Sequence, residues 1–253
     1  FKGKYLLERA ELNAYILDPR FPEVREFIAS TYEKAAIDWN LDGFKLDFID
    51  NFSLPWGKED PAAKENWAGR DIKSIQEAVD LLMVDIANRL KAIKPNMLIE
   101  FRQTYIGTAI RKYGNMMRAS DCPGDFTTNR RSIASLRMTS GESAVHADML
   151  EWHPSENAVQ AARSILNVLF SVIQYSMMLR NLPEDHLRMM SHWISFTEKH
   201  KAALLKGSFH AHHPELFYPW IEGEVDNERI IAVYNETVIA NSGSPNKDIY
   251  IVN

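Results

Sequence analysis

Lys45 and Asp47 stand two residues apart in Asp42-Gly43-Phe44-Lys45-Leu46-Asp47, a segment whose position after a helix-period stretch predicts a parallel strand. Parallel strands are covered on both faces and normally run as unbroken apolar residues. Side chains alternate along a strand, so Phe44 and Leu46 share one face while Lys45 and Asp47 share the other. Charge is too costly to bury without compensation, so that face is expected to be a paired, polar interior. The carboxyl-terminal mouth of a barrel fits this description. Further along, Glu100 and Arg102 repeat the pattern beside apolar Ile99 and Phe101, and Arg118 with Asp121, then His146 with Asp148, end two more predicted strands.

Two acids at one mouth with unequally charged neighbours suit glycosidic bond cleavage. One carboxylate stays ionised to attack the anomeric carbon, while the other carries a proton to the leaving oxygen. Lys45 beside Asp47 favours the ionised partner. Asp121, between Ser120 and Cys122-Pro123-Gly124, sits on a turn that can project it over the mouth. Plainer readings stand beside these: Asp121 as a turn cap, and Lys45–Asp47 as a structural ion pair.

The elements that must position these residues alternate short apolar runs with longer amphipathic stretches, the pattern of βα units. Strands are expected over 12–17, 43–48, 96–101, 115–119, 144–149 and 172–179. Helices are expected over 71–93, 105–113, 129–139, 155–170 and 183–205, with another after Pro22, a residue suited to a first helical turn. A long loop over 50–69 carries Trp56 and Trp67. After Gly207 the pattern changes to antiparallel strands over 216–221, 229–234 and 249–252, with a turn-rich segment over 241–246. The expected fold class is therefore α/β, a (β/α)8 TIM-type barrel of which about six βα units are covered, where closure needs eight, followed by a partial antiparallel β domain. The expected division is 1–207 for the barrel portion and 208–253 for the β portion. The chain begins at Phe1 rather than Met, which reads as a fragment lacking a natural start.

Composition narrows the function classes. The 253 residues are 45% hydrophobic and 25% charged, with a net charge of -5, which disfavours nucleic acid or an anionic membrane as a partner. The longest apolar stretch, over 165–179, is broken by Asn167, Ser171, Gln174 and Ser176, so no membrane span is expected. The single cysteine, Cys122, excludes an intrachain disulfide and lacks an evident histidine base. His210, His212 and His213 cluster without a Cys or acid at metal-ligand spacing, so no metal site is expected there. Trp56 and Trp67 offer rings for sugar faces or for packing the loop.

At this point the residues match a family. "DGFKLDFID", "IEFRQ", "RASDCPGDFTTNRRSI" and "VHADMLEWH", in that order after "YILDPRFPEVREFI", resemble the strand ends of α-galactosidases of glycoside hydrolase family 36, and more distantly family 27. The resemblance covers most of 13–180. It implies a retaining, exo-acting hydrolase of terminal α-galactosides, with Asp47 as nucleophile and Asp121 as general acid/base. Lys45, Glu100, Arg102 and Arg118 would contact the sugar, with Asp148 in a less defined binding role and Trp56 on the rim. An α-galactoside oligosaccharide is the implied partner, no cofactor is implied, and a homo-oligomer is compatible with it. Relatives often carry a glycine-rich segment where this chain has Glu100-Phe101-Arg102-Gln103, and arginine placement before the acid/base varies among them. They also take acids and a tryptophan for galactose from two earlier strands, which this chain does not contain. Another retaining α-glycosidase, α-glucosidase- or α-xylosidase-like, and a non-catalytic carbohydrate-binding barrel are the alternative readings.

Overall fold

In the computed structural model, which describes residues 2–102, 106–239 and 247–253, the chain divides into two units, Phe1–Asn115 and Met116–Asn253. The first opens with an antiparallel ribbon of β1 (Tyr5–Arg9) and β2 (Ala14–Leu17). The strand expected over 12–17 is thus one arm of a hairpin, not a strand of a βα unit. Asn13, in the left-handed region at φ 48°, makes the reversal, a conformation that asparagine tolerates better than most residues.

Two helices flank the site-bearing strands of this unit. Helix α1 (Pro22–Asp38) has proline at its start, where a missing N–H costs nothing. A four-residue helix, α2 (Pro61–Lys64), lies within the long loop. Helix α3 (Ile75–Ile93) begins at Ser74, whose hydroxyl accepts from the Glu77 amide. Its stripe of Ile75, Ala78, Leu82, Met83, Ile86 and Leu90 is buried, as the 3.6-residue period demands. α1 packs against α3, and Arg89 ties them by pairing with Glu26, Glu33 and Asp85.

Strands β3 (Gly43–Leu46) and β4 (Leu98–Arg102) pair in parallel and place Lys45 opposite Glu100. A Cβ on Gly43 would lie 2.7 Å from the Leu98 carbonyl oxygen, so the close approach of the two backbones requires glycine there.

The second unit pairs β5 (Met116–Arg118) with β6 (Ala144–His146), again in parallel. Val172 and Tyr175 add only isolated bridges, to His146 and Leu150. The full strand expected over 172–179 is corrected accordingly: Gln174 spends its side chain on His146 and its carbonyl on Leu150, and no continuous ladder forms. Helices α4 (Phe126–Thr139), α5 (Ala158–Asn167) and α6 (Glu184–Lys201) follow, and α6 ends in a π turn over Ala202–Lys206.

The carboxyl-terminal strands β7 (Ser208–His212), β8 (Trp220–Val225), β9 (Glu228–Val233) and β10 (Asp248–Val252) form one sheet in the order β10-β9-β8-β7. It is mixed rather than antiparallel, because β10 runs parallel to β9. A parallel pair needs a crossover of a dozen or so residues, and 234–247 is long enough to supply it. The turn-rich segment expected over 241–246 lies outside the described residues. Phe170, Leu166, Leu169, Ala203 and Leu204 pack with Ile221, Ile230 and Ala232, so this sheet shares a core with the helices before it. No helix of the described residues is long and apolar enough to cross a membrane.

Candidate active site

Asp47 follows the last residue of β3 and has one amide donor and two cationic side chains around its carboxylate. Its Oδ1 accepts from the Phe48 amide at 2.9 Å and lies 3.0 Å from Arg102 Nε. Its Oδ2 lies 3.6 Å from Lys45 Nζ. The alternation along β3 and the parallel register with β4 bring these side chains together. The charged face is nevertheless open: the Lys45 side chain is 44% exposed and that of Asp47 26%. The expectation of a sealed polar interior is corrected to a half-open face, where water shares the cost of the charge. Glu100 is buried on the same strand pair.

Phe48 adopts φ 59° and ψ 26°. A bulky side chain in this region costs about 1–3 kcal/mol and persists only where the surroundings hold it. Arg102 holds both neighbours, its guanidinium centred 5.2 Å from the Phe48 ring while its Nε faces Asp47.

The loop beyond Asp47 exposes Trp56 completely and is secured by a group of charges further on. Arg20, buried, forks onto Asp18 through Nε at 2.9 Å and Nη2 at 3.0 Å, and also donates to Asp60. Arg70 Nε reaches the same Asp18 at 2.8 Å while its guanidinium covers Phe21. Asp60 in turn caps α2 through the Ala62 amide. Burial works to raise the Asp18 carboxyl, but hydrogen bonds from Arg20 and Arg70 outweigh it and hold the group below the usual carboxylate range. Sequence reasoning overlooked this clasp. Its signal was Asp18-Pro19-Arg20, opposite charges two apart at the end of a strand. Trp67, half-buried, lies beneath Lys73 Nζ at 4.6 Å.

In the second unit, Arg118 and Asp148 are both buried, and Arg118 Nη1 donates to the Asp148 carboxylate. The other Asp148 oxygen accepts from the Cys122 amide. Asn129, on α4, clamps the Asp148 backbone from both sides, its Nδ2 donating to the carbonyl at 3.2 Å and its Oδ1 accepting from the amide at 3.0 Å. Asp148 has no exposed surface. Its carboxylate is directed at Arg118 and the Asp121-Cys122 turn. Asp121 itself is 62% exposed, 3.7 Å from Arg118 Nη2. The turn is braced further by Ser120 and Ser132, whose hydroxyls are 2.8 Å apart. Burial foremost, then the Asp148 and Asp125 charges, push the Cys122 thiol up to about 12, far from a reactive thiolate.

Each unit thus assembles a subset of the expected residues: Lys45, Asp47, Arg102 and Glu100 in the first, Arg118, Asp121 and Asp148 in the second. The histidines after Gly207 have other surroundings. His212 stacks on Trp220 with Nε2 3.1 Å from Glu222, and His213 Nδ1 lies 2.9 Å from Glu215. Among the described residues, no group of three or more metal-ligating side chains is gathered.

No protein-family model matches the sequence. No curated protein matches it either. Solved structures do. An α-galactosidase from Lactobacillus brevis superposes with a TM-score of 0.61 at 14% identity, covering 84% of this chain and 29% of that one. The family 36 α-galactosidase of Geobacillus stearothermophilus gives 0.60 at 14% identity, over 88% of this chain and 30% of that one. Variants of the Geobacillus enzyme have been solved in complex with stachyose and with raffinose. A cyclic α-maltosyl-(1→6)-maltose hydrolase from Arthrobacter globiformis gives 0.51 at 12% identity, over 85% of this chain and 53% of that one. The chain therefore spans about 30% of the α-galactosidases it matches. Within that span it has the fold of the family 36 α-galactosidase structures.

Proposed function

We propose that this chain is part of the catalytic portion of a retaining, exo-acting α-galactosidase. Residues 1–207 would belong to a (β/α)8 barrel and 208–253 would begin a β domain. The observation that carries the reading is the Asp47 carboxylate, half-open and ringed by Lys45, Arg102 and the Phe48 amide, in a chain that shares its fold with α-galactosidases. A carboxylate so supported is suited to attack C1 of a pyranose. Asp121, solvent-accessible on a braced turn, is suited to deliver a proton to the leaving oxygen and then to activate water. Displacement by Asp47 forms a galactosyl ester and expels the aglycone. Hydrolysis of that ester through Asp121 releases the sugar with net retention. Lys45 and Arg102 would hold sugar hydroxyls, with Glu100 beside them; Arg118 would bind at the acid/base side and Trp56 would meet more distant sugar units. Stachyose and raffinose, held by variants of the Geobacillus enzyme, set the substrate class to test first.

A second reading, hydrolysis of an α-glucoside, is favoured by the fold likeness to the maltosyl-maltose hydrolase. The deciding experiment incubates the full-length protein with a panel of nitrophenyl α-glycosides and with a fluorinated galactosyl trapping reagent. Turnover of the galactoside and a labelled Asp47 peptide are expected. Turnover of the glucoside alone would assign the second reading, and no turnover with any glycoside would reject both.

A further inference from the structure

Phe48 has a bulky side chain, a left-handed backbone and an exposed ring, all adjacent to Asp47. Positive φ at the other aromatic residues serves local turns: the Trp67 amide donates to Ala62, the Phe217 amide to Pro214 and the Tyr218 amide to His213. Phe48 likewise starts a turn, its carbonyl accepting from the Asn51 amide, and its ring is 52% exposed. Its amide donates to Asp47 Oδ1 at 2.9 Å. One guanidinium, that of Arg102, is in reach of both the carboxylate and the ring.

We infer that Phe48 is a substrate-positioning residue of the proposed hydrolase: its ring is the apolar platform for the sugar that Asp47 attacks. This rests on the glycosidase reading and adds to it a recognition element for the C–H face of a pyranose. Hexopyranoses present hydroxyls at the rim and C–H groups on the face, so polar partners such as Lys45 and Arg102 must be joined by an apolar surface for the ring plane to be fixed. An aromatic side chain tolerates water in the free state and stacks when the sugar arrives. Arg102 above the ring restricts its rotamers, so less freedom is lost on binding.

Two variants of the full-length protein test the ring. Phe48→Gly keeps positive φ without strain and keeps the backbone amide, while removing the ring. It is expected to raise KM for nitrophenyl α-galactoside and raffinose about tenfold and to change kcat less than about threefold, the size of one lost stacking contact. Phe48→Tyr is expected to stay within about twofold of wild type in KM. An unchanged KM in Phe48→Gly overturns the platform. Wild-type protein inactive on every α-glycoside overturns the hydrolase reading, and this inference with it. Activity in wild type with no response in the variants overturns this inference alone.

Discussion

Arg118 donates from within the fold to Asp148, which has no exposed surface, while the other nitrogen of the same guanidinium lies 3.7 Å from the solvent-accessible Asp121. Asp148 also accepts from the amide that follows Asp121. The two links make it a brace for the turn and the counter-charge of Arg118.

Asp148→Asn keeps the shape but removes the charge that balances Arg118. We expect kcat to fall by about a hundredfold, the order of loss that follows a small misplacement of a reacting group. We also expect stability to drop by about 3 kcal/mol, since the buried Arg118 loses its fully buried counter-charge. Steady-state kinetics and urea unfolding measure the two effects. A variant as stable and as active as wild type would remove the brace.

Asp47→Ala, in the full-length protein, is expected to lose hydrolysis by several orders of magnitude. Added azide occupies the vacated space, and the expected product is a β-galactosyl azide, identified by nuclear magnetic resonance. Near-normal turnover by this variant would end the assignment of Asp47 as nucleophile.

Acid should loosen the clasp. Asp18 and Asp60 are both held below the ordinary aspartate range: burial opposes the shift, but Arg20 outweighs it, aided by Arg70 at Asp18 and by the Ala62 amide at Asp60. At a pH near ~3.9, the ordinary value, the unfolded chain therefore binds more protons than the folded one, and stability rises with pH there. The contribution is complete above that value and is lost as pH falls through the lower folded values. Arg20→Met is expected to cost about 3 kcal/mol at neutral pH and to flatten this acid limb. Urea titrations between about pH 2.5 and 7, an interval that spans the range where carboxylates titrate, provide the comparison.

Cys122 should be silent to thiol reagents while the protein is folded. With the thiol pushed up to about 12, the thiolate fraction at pH 8 is below about one in a thousand. Iodoacetamide is expected to label Cys122 only after denaturation. Rapid stoichiometric labelling of the native protein would contradict the burial of Cys122.

How much of this was legible in the sequence depends on the range of the interaction. Lys45 and Asp47 declare their shared face by strand alternation alone, and the buried stripe of α3 follows from its period. Arg102 was identified as a site residue, but its grip on Asp47 depends on the parallel register of β3 with β4, a non-local fact. The same holds for Asp148: its letter marks a strand end, yet only the fold shows its carboxylate turned inward to Arg118. Val172 to Leu179 misled because apolar content cannot separate a ladder from a bent segment with two bridges. The parallel seating of β10 was illegible because pairing direction resides in the crossover and not in the strand. Phe48 was invisible for a different reason: nothing in a phenylalanine announces positive φ.

The clasp of Asp18, Arg20, Asp60 and Arg70 has a consequence for how this protein can diversify. It anchors the chain at 60 and 70 independently of what lies between Asp47 and Asp60, the stretch whose tip is Trp56. Doubling the length of such a stretch adds only about 0.6 kcal/mol of closure entropy. Insertions, deletions and new side chains can therefore accumulate over 52–59 while the strand that leads to Asp47 stays where it is. Under the proposed function, the chemistry would be inherited and the choice of aglycone open to variation.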